Sequence, residues 1–173
     1  LWLASASSTD GATNNTIKNC IINGNSDITT LMGIFSGGTA SISTSGNALA
    51  DNSTNTIQNN TISKSQYGIF VTGVSTSALS TGLTITGNAL GSPAAGDGFL
   101  TGGIDVRLQT GATISNNDVQ NIVGAGTVNM QGINLQDSKS SVVSANKVHF
   151  MNYSGASTTR LYGITTSTAA FNT

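Results

Sequence analysis

Residues 112–119 read ATISNNDV, and four other stretches of the chain repeat this pattern of aliphatic and polar residues. The other copies are NTIKNCII at 15–22, NTIQNNTI at 55–62, LTITGNAL at 83–90 and SVVSANKV at 141–148. In each copy an aliphatic residue is followed three positions later by Asn, or by Cys20 in the first copy, and five positions later by a second aliphatic residue. Such a repeat predicts stacked units, each too small to bury a core alone.

A Gly-Ile pair accompanies each copy after a loop of variable length. The pairs are Gly33-Ile34, Gly68-Ile69, Gly103-Ile104, Gly132-Ile133 and Gly163-Ile164, separated by 35, 35, 29 and 31 residues. Because side chains alternate between faces of a strand, the first aliphatic residue of each copy points inward and its polar neighbours point outward. The polar pair permits a bend into a second strand, and the glycine permits a tight entry into a third. Three short strands per turn predict a coil with parallel sheets as walls.

Stacked turns place equivalent residues above one another, about 4.8 Å apart. We therefore predict an internal ladder of side-chain amides, like the stacked Asn of cross-β assemblies. Its members are Asn60, Asn88, Asn117 and Asn146, with Cys20 as a buried, inert thiol in the equivalent position of the first copy. Asp118 and Lys147 also occupy equivalent positions and are predicted to pair across neighbouring turns.

The composition excludes several classes of function. Charged residues make up 8% of the chain, with seven Asp and no Glu against four Lys and two Arg, and the net charge is -1. This balance indicates neither nucleic-acid binding nor attraction to an anionic membrane. No apolar run approaches the roughly 18 residues that span a bilayer, so we predict no membrane insertion. One Cys and one His leave no Cys/His cluster for zinc.

The pattern N-x-I-x-x-N-x-I, followed by a loop and Gly-Ile, resembles the repeat of right-handed parallel β-helices from Asn14 to Thr165. This family includes pectate lyases, polygalacturonases, phage tailspikes and large secreted or surface-anchored bacterial proteins. The resemblance implies an all-β, single-stranded right-handed solenoid of about five to six turns, forming one domain over residues 1–173. It also implies a piece of a larger bacterial secreted or surface protein. Leu1-Trp2-Leu3 aligns with Ile34-Phe35-Ser36, and another strand is expected at 169–171.

In β-helix enzymes that this chain resembles, the active groove follows the outward positions of the Gly-Ile strand. Rings that stack on sugars and polar groups that bind hydroxyls are typical of such a groove. The chain offers both kinds of residue there, which makes this face a candidate glycan-binding face. Its residues are Trp2, Phe35, Phe70, Asp105, Arg107, Asn134 and Gln136. The competing interpretation is that long loops, chiefly residues 36–53, cover the rings.

Catalytic chemistry receives little support from the sequence. The β-helix lyases that this chain resembles need several carboxylates and a basic residue, and the β-helix hydrolases need clustered Asp residues. The candidate face carries only Asp105 beside Arg107, with Asp97 and Asp137 in the flanking segments, and His149 follows a core position. We predict no catalytic residues, no metal, no cofactor and no enzyme activity.

We therefore expect a structural or adhesive module of an extracellular or cell-surface protein, in contact with polysaccharide or, at its uncapped ends, with neighbouring subunits. The alternative is a fragment of a polysaccharide lyase or glycoside hydrolase with most of its active site elsewhere. Ice binding is a weaker alternative. The threonines Thr16, Thr56, Thr84 and Thr113 stack outward, but only one turn carries a Thr-x-Thr pair.

Overall fold

A computed structural model describes residues 1–38, 41–125, 128–155 and 158–167, and it folds this part of the chain into strands and loops. None of the described residues forms a helix able to cross a membrane. The expected strand at 169–171 lies outside the described residues. The described strands are β1 (Trp2–Ala4), β2 (Thr16–Lys18), β3 (Ile21–Asn23), β4 (Met32–Gly37), β5 (Thr56–Gln58), β6 (Thr61–Ser63), β7 (Ser65–Thr72), β8 (Ser80–Thr81), β9 (Thr84–Thr86), β10 (Ala89–Leu90), β11 (Phe99–Arg107), β12 (Gln109–Thr110), β13 (Thr113–Ser115), β14 (Asp118–Gly124), β15 (Met130–Gln136), β16 (Val142–Ser144), β17 (Lys147–Tyr153) and β18 (Leu161–Ser167).

Sixteen of the described strands form three walls, β8 and β12 form a separate two-stranded sheet, and the strands pair in parallel. The first wall is a five-stranded sheet in the order β16-β13-β9-β5-β2. The second wall contains β3, β6, β10, β14 and β17, and the third contains β1, β4, β7, β11, β15 and β18. One strand per wall and turn gives five complete turns and one additional strand. The all-β coil predicted from the repeat is therefore confirmed.

The aliphatic positions of the repeat are stacked inside the coil. Ile57 pairs in register with Ile85, which pairs with Ile114, and the side chains of all three are fully buried. The second aliphatic positions, Ile62, Leu90 and Val119, are equally buried, as are Ile34, Ile69, Ile104 and Ile133 of the Gly-Ile pairs. Burial of each such side chain stabilises the fold by roughly 1.5–3 kcal/mol. Each turn therefore depends on its neighbours for its share of the core.

The amide ladder runs through the bend between the first and second walls. Asn60 Nδ2 donates to Asn88 Oδ1 at 3.0 Å, and Asn88 Nδ2 donates to Asn117 Oδ1 at 2.9 Å. Asn117 continues the ladder to Asn146 Oδ1 at 2.9 Å. Each of these oxygens also accepts a hydrogen bond from a backbone N–H of the preceding turn. The polar groups of the buried side-chain amides therefore have hydrogen-bond partners within the ladder. The prediction that Cys20 is buried is wrong, because its side chain is only half-buried and its Sγ donates to the Lys18 carbonyl oxygen at 3.3 Å. Its backbone N–H begins the ladder by donating to Asn60 Oδ1.

The residue before each ladder position adopts the left-handed conformation that turns the chain from one wall to the next. The values of φ are 56° at Asn19, 53° at Asn59, 66° at Gly87, 56° at Asn116 and 51° at Ala145. Asn and Gly adopt this conformation at low cost, which explains their recurrence at the bend.

The glycines of the first four Gly-Ile pairs are required for a different reason from the one predicted. Gly68 does not adopt a positive φ; instead, a Cβ there would lie 2.6 Å from Leu90 Cδ2 and 2.7 Å from the carbonyl oxygen of Gly103. The close approach of neighbouring turns therefore excludes a side chain at this position.

The predicted pairing of Asp118 with Lys147 is wrong. The two residues do lie opposite each other in β14 and β17, but the Asp118 carboxylate contacts His149 Nε2 at 2.6 Å. His149 lies two residues further along the same face of β17. Its ring reaches diagonally across the sheet, a distance that long and aromatic side chains can span.

Candidate functional site

The residues of the candidate glycan-binding face form two adjacent columns on the outer side of the third wall. Trp2 pairs in register with Phe35, and Phe35 pairs with Phe70. The same column continues through Asp105, Asn134 and Thr165. Arg107 and Gln136 lie side by side in the second column. The registers predicted from the Gly-Ile pairs therefore bring these residues together.

The aromatic residues of the first column contact one another and are mostly buried. The ring centroids of Trp2 and Phe35 are 6.1 Å apart, and those of Phe35 and Phe70 are 6.0 Å apart. Phe35 is 1% exposed and Phe70 is 0% exposed, whereas Trp2 is 39% exposed. A sugar therefore has no access to the rings of Phe35 and Phe70 in this structure, and only Trp2 offers an open face.

A loop, residues 41–53, is bonded to the segments around this column, while Leu31, Met32 and Tyr67 pack against Phe35 and Phe70, and Arg107 lies over the Phe70 ring. The backbone N–H of Leu49 donates to Ser5 Oγ at 2.9 Å, and Asn47 Nδ2 donates to the Val74 carbonyl oxygen at 3.0 Å. Arg107 Nη1 donates to the Thr44 carbonyl oxygen at 2.9 Å. These bonds attach the loop to the segments next to β1 and β7 and to the wall itself. We refer to residues 41–53 as the covering loop.

Arg107 joins the covering loop to the wall beneath it. Its Nε and Nη2 bind the two oxygens of Asp105 at 2.8 and 3.0 Å, and the guanidinium lies 4.6 Å from the centroid of the Phe70 ring. Burial by itself lowers the pKa of Arg107, but the hydrogen bonds and charge of Asp105 outweigh it and raise the pKa. Asp105 is 1% exposed, so this bidentate pair neutralises a carboxylate that water cannot reach.

Tyr67 belongs to this site and was not identified from the sequence. Its ring packs edge-on against Phe70 with centroids 5.4 Å apart, next to Gly102, which leaves room for it. Burial, followed by the negative charge of Asp105, raises the pKa of the Tyr67 hydroxyl, while Arg107 and a hydrogen bond with Thr101 oppose the shift. The available signal was an aromatic residue directly before a Gly-Ile pair.

A polar cleft of about 380 Å³ opens between the covering loop and the wall. Its lining combines hydroxyl and amide groups with the guanidinium, including those of Thr44, Asn47, Thr72, Ser75, Arg107 and Gln136. A guanidinium carries five N–H groups. Three of those of Arg107 are bonded to Asp105 and Thr44, which leaves two without a partner among the described residues. We call this space the Arg107 cleft. It presents hydrogen-bonding groups, the Arg107 guanidinium and the carboxylate of Asp137.

The geometry of the carboxylates bears on catalysis and on metal binding. Both oxygens of Asp105 are held by Arg107, and Asp137, at the edge of the cleft, is 6% exposed. Within the described ranges, no three side chains of His, Cys, Asp or Glu are grouped closely enough to hold a metal ion. His149 lies on the second wall, bonded to Asp118.

The family model described as a right handed beta helix region matches residues 39–172 of the chain. No curated protein matches the chain, and no solved structure matches it.

Proposed function

The chain belongs to the right-handed β-helix family and is a structural β-helical module; from this we propose that it acts as a stiff rod in an extracellular or cell-surface protein. The amide ladder is the observation that carries this proposal. Asn60, Asn88, Asn117 and Asn146 link successive turns by side-chain bonds of 2.9–3.0 Å, in addition to the backbone bonds of the walls. Bending the coil would stretch these buried bonds, and each one left unmade costs about 1–3 kcal/mol.

A surface rich in Ser, Thr and Asn supports the extracellular location. Only 8% of the residues are charged, so solubility depends on hydroxyl and amide groups rather than on a strong field. The location is testable in the organism that makes the protein. Surface biotinylation of intact cells should label the protein, and labelling only after lysis would contradict the proposal.

We further propose that the rod contacts glycans at the Arg107 cleft and not on the buried rings. Sugars offer many hydroxyl groups, which both donate and accept hydrogen bonds. The cleft supplies matching partners in the hydroxyls of Thr72 and Ser75, the amide of Gln136 and the free N–H groups of Arg107. A volume of about 380 Å³ lies within the usual range of small-molecule sites. Asp105 balances the charge of Arg107, and the Asp137 carboxylate in the lining disfavours anionic sugars, so neutral sugars are the favoured class.

Glycan-array binding tests this proposal. The wild-type chain should bind selected neutral glycans, and Gln136→Ala with Ser75→Ala should weaken this binding about tenfold, since each lost hydrogen bond contributes about 0.5–1.5 kcal/mol. Gln58→Ala on the first wall, distant from the cleft, is the matched control and should bind as wild type. Absence of binding across the array, or equal binding by the cleft variant, would contradict glycan contact without affecting the rod.

The ends of the coil are the proposed place for neighbouring subunits. The ladder has a direction, however, because each turn donates to the Oδ1 of the next. Cys20 begins the ladder and has no amide oxygen to accept from a turn placed before it. Head-to-tail copies would therefore stack without continuing the ladder, which favours a partner other than a second copy at this end. Solution sizing should show a monomer of the isolated chain.

The alternative function as a lyase or hydrolase fragment requires a carboxylate that reaches its substrate. Asp105 is buried and bound at both oxygens, so proton transfer by this residue would require Arg107 to leave it. We therefore favour the structural and adhesive function. Release of reducing ends or unsaturated sugars from any tested polysaccharide would contradict this choice.

A further inference from the structure

A groove on the second wall carries features that neither the rod nor the glycan site explains. Two cavities of about 440 and 240 Å³ adjoin there and share Asn121 and Val123 in their linings. Phe150, Met151 and Pro93 line the first cavity, and Asp27 lines the second. We call both cavities together the Phe150 groove. Its first part is predominantly apolar and open to solvent.

Phe150 occupies a position that an aromatic residue rarely takes. Its φ is 52°, and its side chain is 65% exposed. In the neighbouring turn the equivalent residue is Asn121, with a φ of 59°, which tolerates this conformation far better. The left-handed conformation costs a residue with a Cβ about 1–2 kcal/mol. The ring contacts that of His149, with centroids 4.8 Å apart, but its exposure means that little core packing offsets this cost. Strained backbone conformations cluster at functional positions.

The groove also presents hydrogen-bonding and charged groups. Asn152 is exposed in the first cavity, and its amide can pair with the N–H and C=O of a peptide group. The Asp27 carboxylate has no ion-pair partner among the described residues. Lys64, a cation in this region, lies 3.4 Å from Asp97, with which it forms an ion pair. A positive charge would therefore complement the Asp27 end.

We propose that the Phe150 groove binds an extended peptide segment of a partner protein, in which an apolar side chain is adjacent to Lys or Arg. The apolar side chain packs between Pro93, Val123 and Phe150. The Asn152 amide pairs with the peptide backbone, and Asp27 binds the cation. Pockets for side chains combined with main-chain hydrogen bonds are a recurrent mode of peptide recognition. This inference does not depend on glycan binding.

Methyl NMR titration with two defined probes tests the proposal. The probes are acetyl-Gly-Leu-Lys-Phe-Lys-Gly-amide and the same peptide with both Lys replaced by Glu. The Lys peptide should shift the methyl signals of Val123 and Met151 saturably. The wild type should bind the Glu peptide about fivefold more weakly than the Lys peptide. Asp27→Asn should bind the Lys peptide about fivefold more weakly than the wild type does, because one partly exposed charge pair is lost.

Phe150→Asn separates binding from folding. Asn is the residue that the neighbouring turn uses at this position, so the variant should fold with equal or higher stability and lose most of its affinity for the Lys peptide. Val142→Thr, which alters an exposed apolar residue of the first wall, should bind as wild type. Equal binding of both peptides, unchanged affinity of Phe150→Asn, or the absence of shifts at Val123 and Met151 would overturn the proposal.

Discussion

The side-chain amide of Asn88 donates to Oδ1 of Asn117 at 2.9 Å, although 29 residues separate the two in the chain. The same Oδ1 accepts the backbone N–H of Asn88 at 3.0 Å. Two bonds to one oxygen fix the height and the rotation of one turn relative to the next. Because both residues are 1% exposed, water cannot replace either bond.

Asn88→Ala should lower the free energy of unfolding by at least about 3 kcal/mol, because several buried groups lose their partners together. The backbone N–H of Asn60 and the carbonyl oxygen of Ile57 lose their bonds to the Asn88 side chain, and Asn60 Nδ2 and Asn117 Oδ1 each lose one of two bonds. Urea denaturation measures the change. Asn116→Gly is the matched control and should be nearly neutral, since Gly accepts the positive φ of this exposed position. Equal stability of Asn88→Ala and the control would exclude a stabilising ladder.

Gly68→Ala should destabilise the coil by about 1–3 kcal/mol through overpacking. The added methyl group would lie within 2.7 Å of Leu90 Cδ2 and of the Gly103 carbonyl oxygen, and the latter cannot move without shifting the next turn. Gly163→Ala tests the same change at the equivalent position of the last Gly-Ile pair, where no atom lies within 4 Å. Thermal unfolding should therefore show a lower Tm for Gly68→Ala alone. Similar Tm values for both variants would mean that the turns are further apart than described.

Arg107→Ala should cost about 3 kcal/mol and should release the covering loop, because it leaves the buried Asp105 carboxylate unpaired. The loop also loses its bond from Arg107 to the Thr44 carbonyl oxygen. Limited proteolysis should cleave residues 41–53 faster than in the wild type. The double variant Asp105→Asn, Arg107→Gln carries no buried charge and should recover part of the stability. A double variant less stable than Arg107→Ala would show that the charge pair is not the cause.

The burial of Tyr67 predicts a loss of stability in alkaline solution. The pKa of the Tyr67 hydroxyl is raised in the folded state. Its contribution to the free energy of unfolding is therefore fully present below the unfolded pKa of about 10, and it is lost as the pH rises through the folded pKa. Unfolding free energies measured across this window should fall more steeply for wild type than for Tyr67→Phe, which cannot ionise. Parallel profiles of the two proteins would contradict the assignment.

The sequence predicts the coil well because each repeat contains the residues that determine its own strands and bends. The spacing of the aliphatic residues determines the stacking of Ile57, Ile85 and Ile114, and the Asn positions determine the ladder. The same registers place Phe70 beside Asp105 on the outer face. Every one of these relations joins equivalent residues of adjacent turns, so an alignment of the repeat is sufficient to find them.

The remaining features depend on contacts that no repeat encodes. The bond from Arg107 to Thr44 joins a wall to a loop of unrelated sequence, and the same guanidinium lies over the buried ring of Phe70. His149 reaches Asp118 diagonally, where alignment points to Lys147. Phe150 adopts a left-handed backbone conformation, with a φ of 52°, that aromatic residues rarely adopt. Such features need the three-dimensional path of the loops and the directions of side chains.

The distance between spin labels at positions 18 and 144 tests the coil most directly. Lys18 and Ser144 are exposed on β2 and β16, the two edge strands of the first wall, with β5, β9 and β13 between them. In a Cys20→Ser background, labels on cysteines at these positions should give one narrow distance distribution near 19 Å, about four strand spacings, broadened by the label tethers. A broad distribution, or one centred at more than about twice this strand-derived distance, would contradict vertical stacking of the turns.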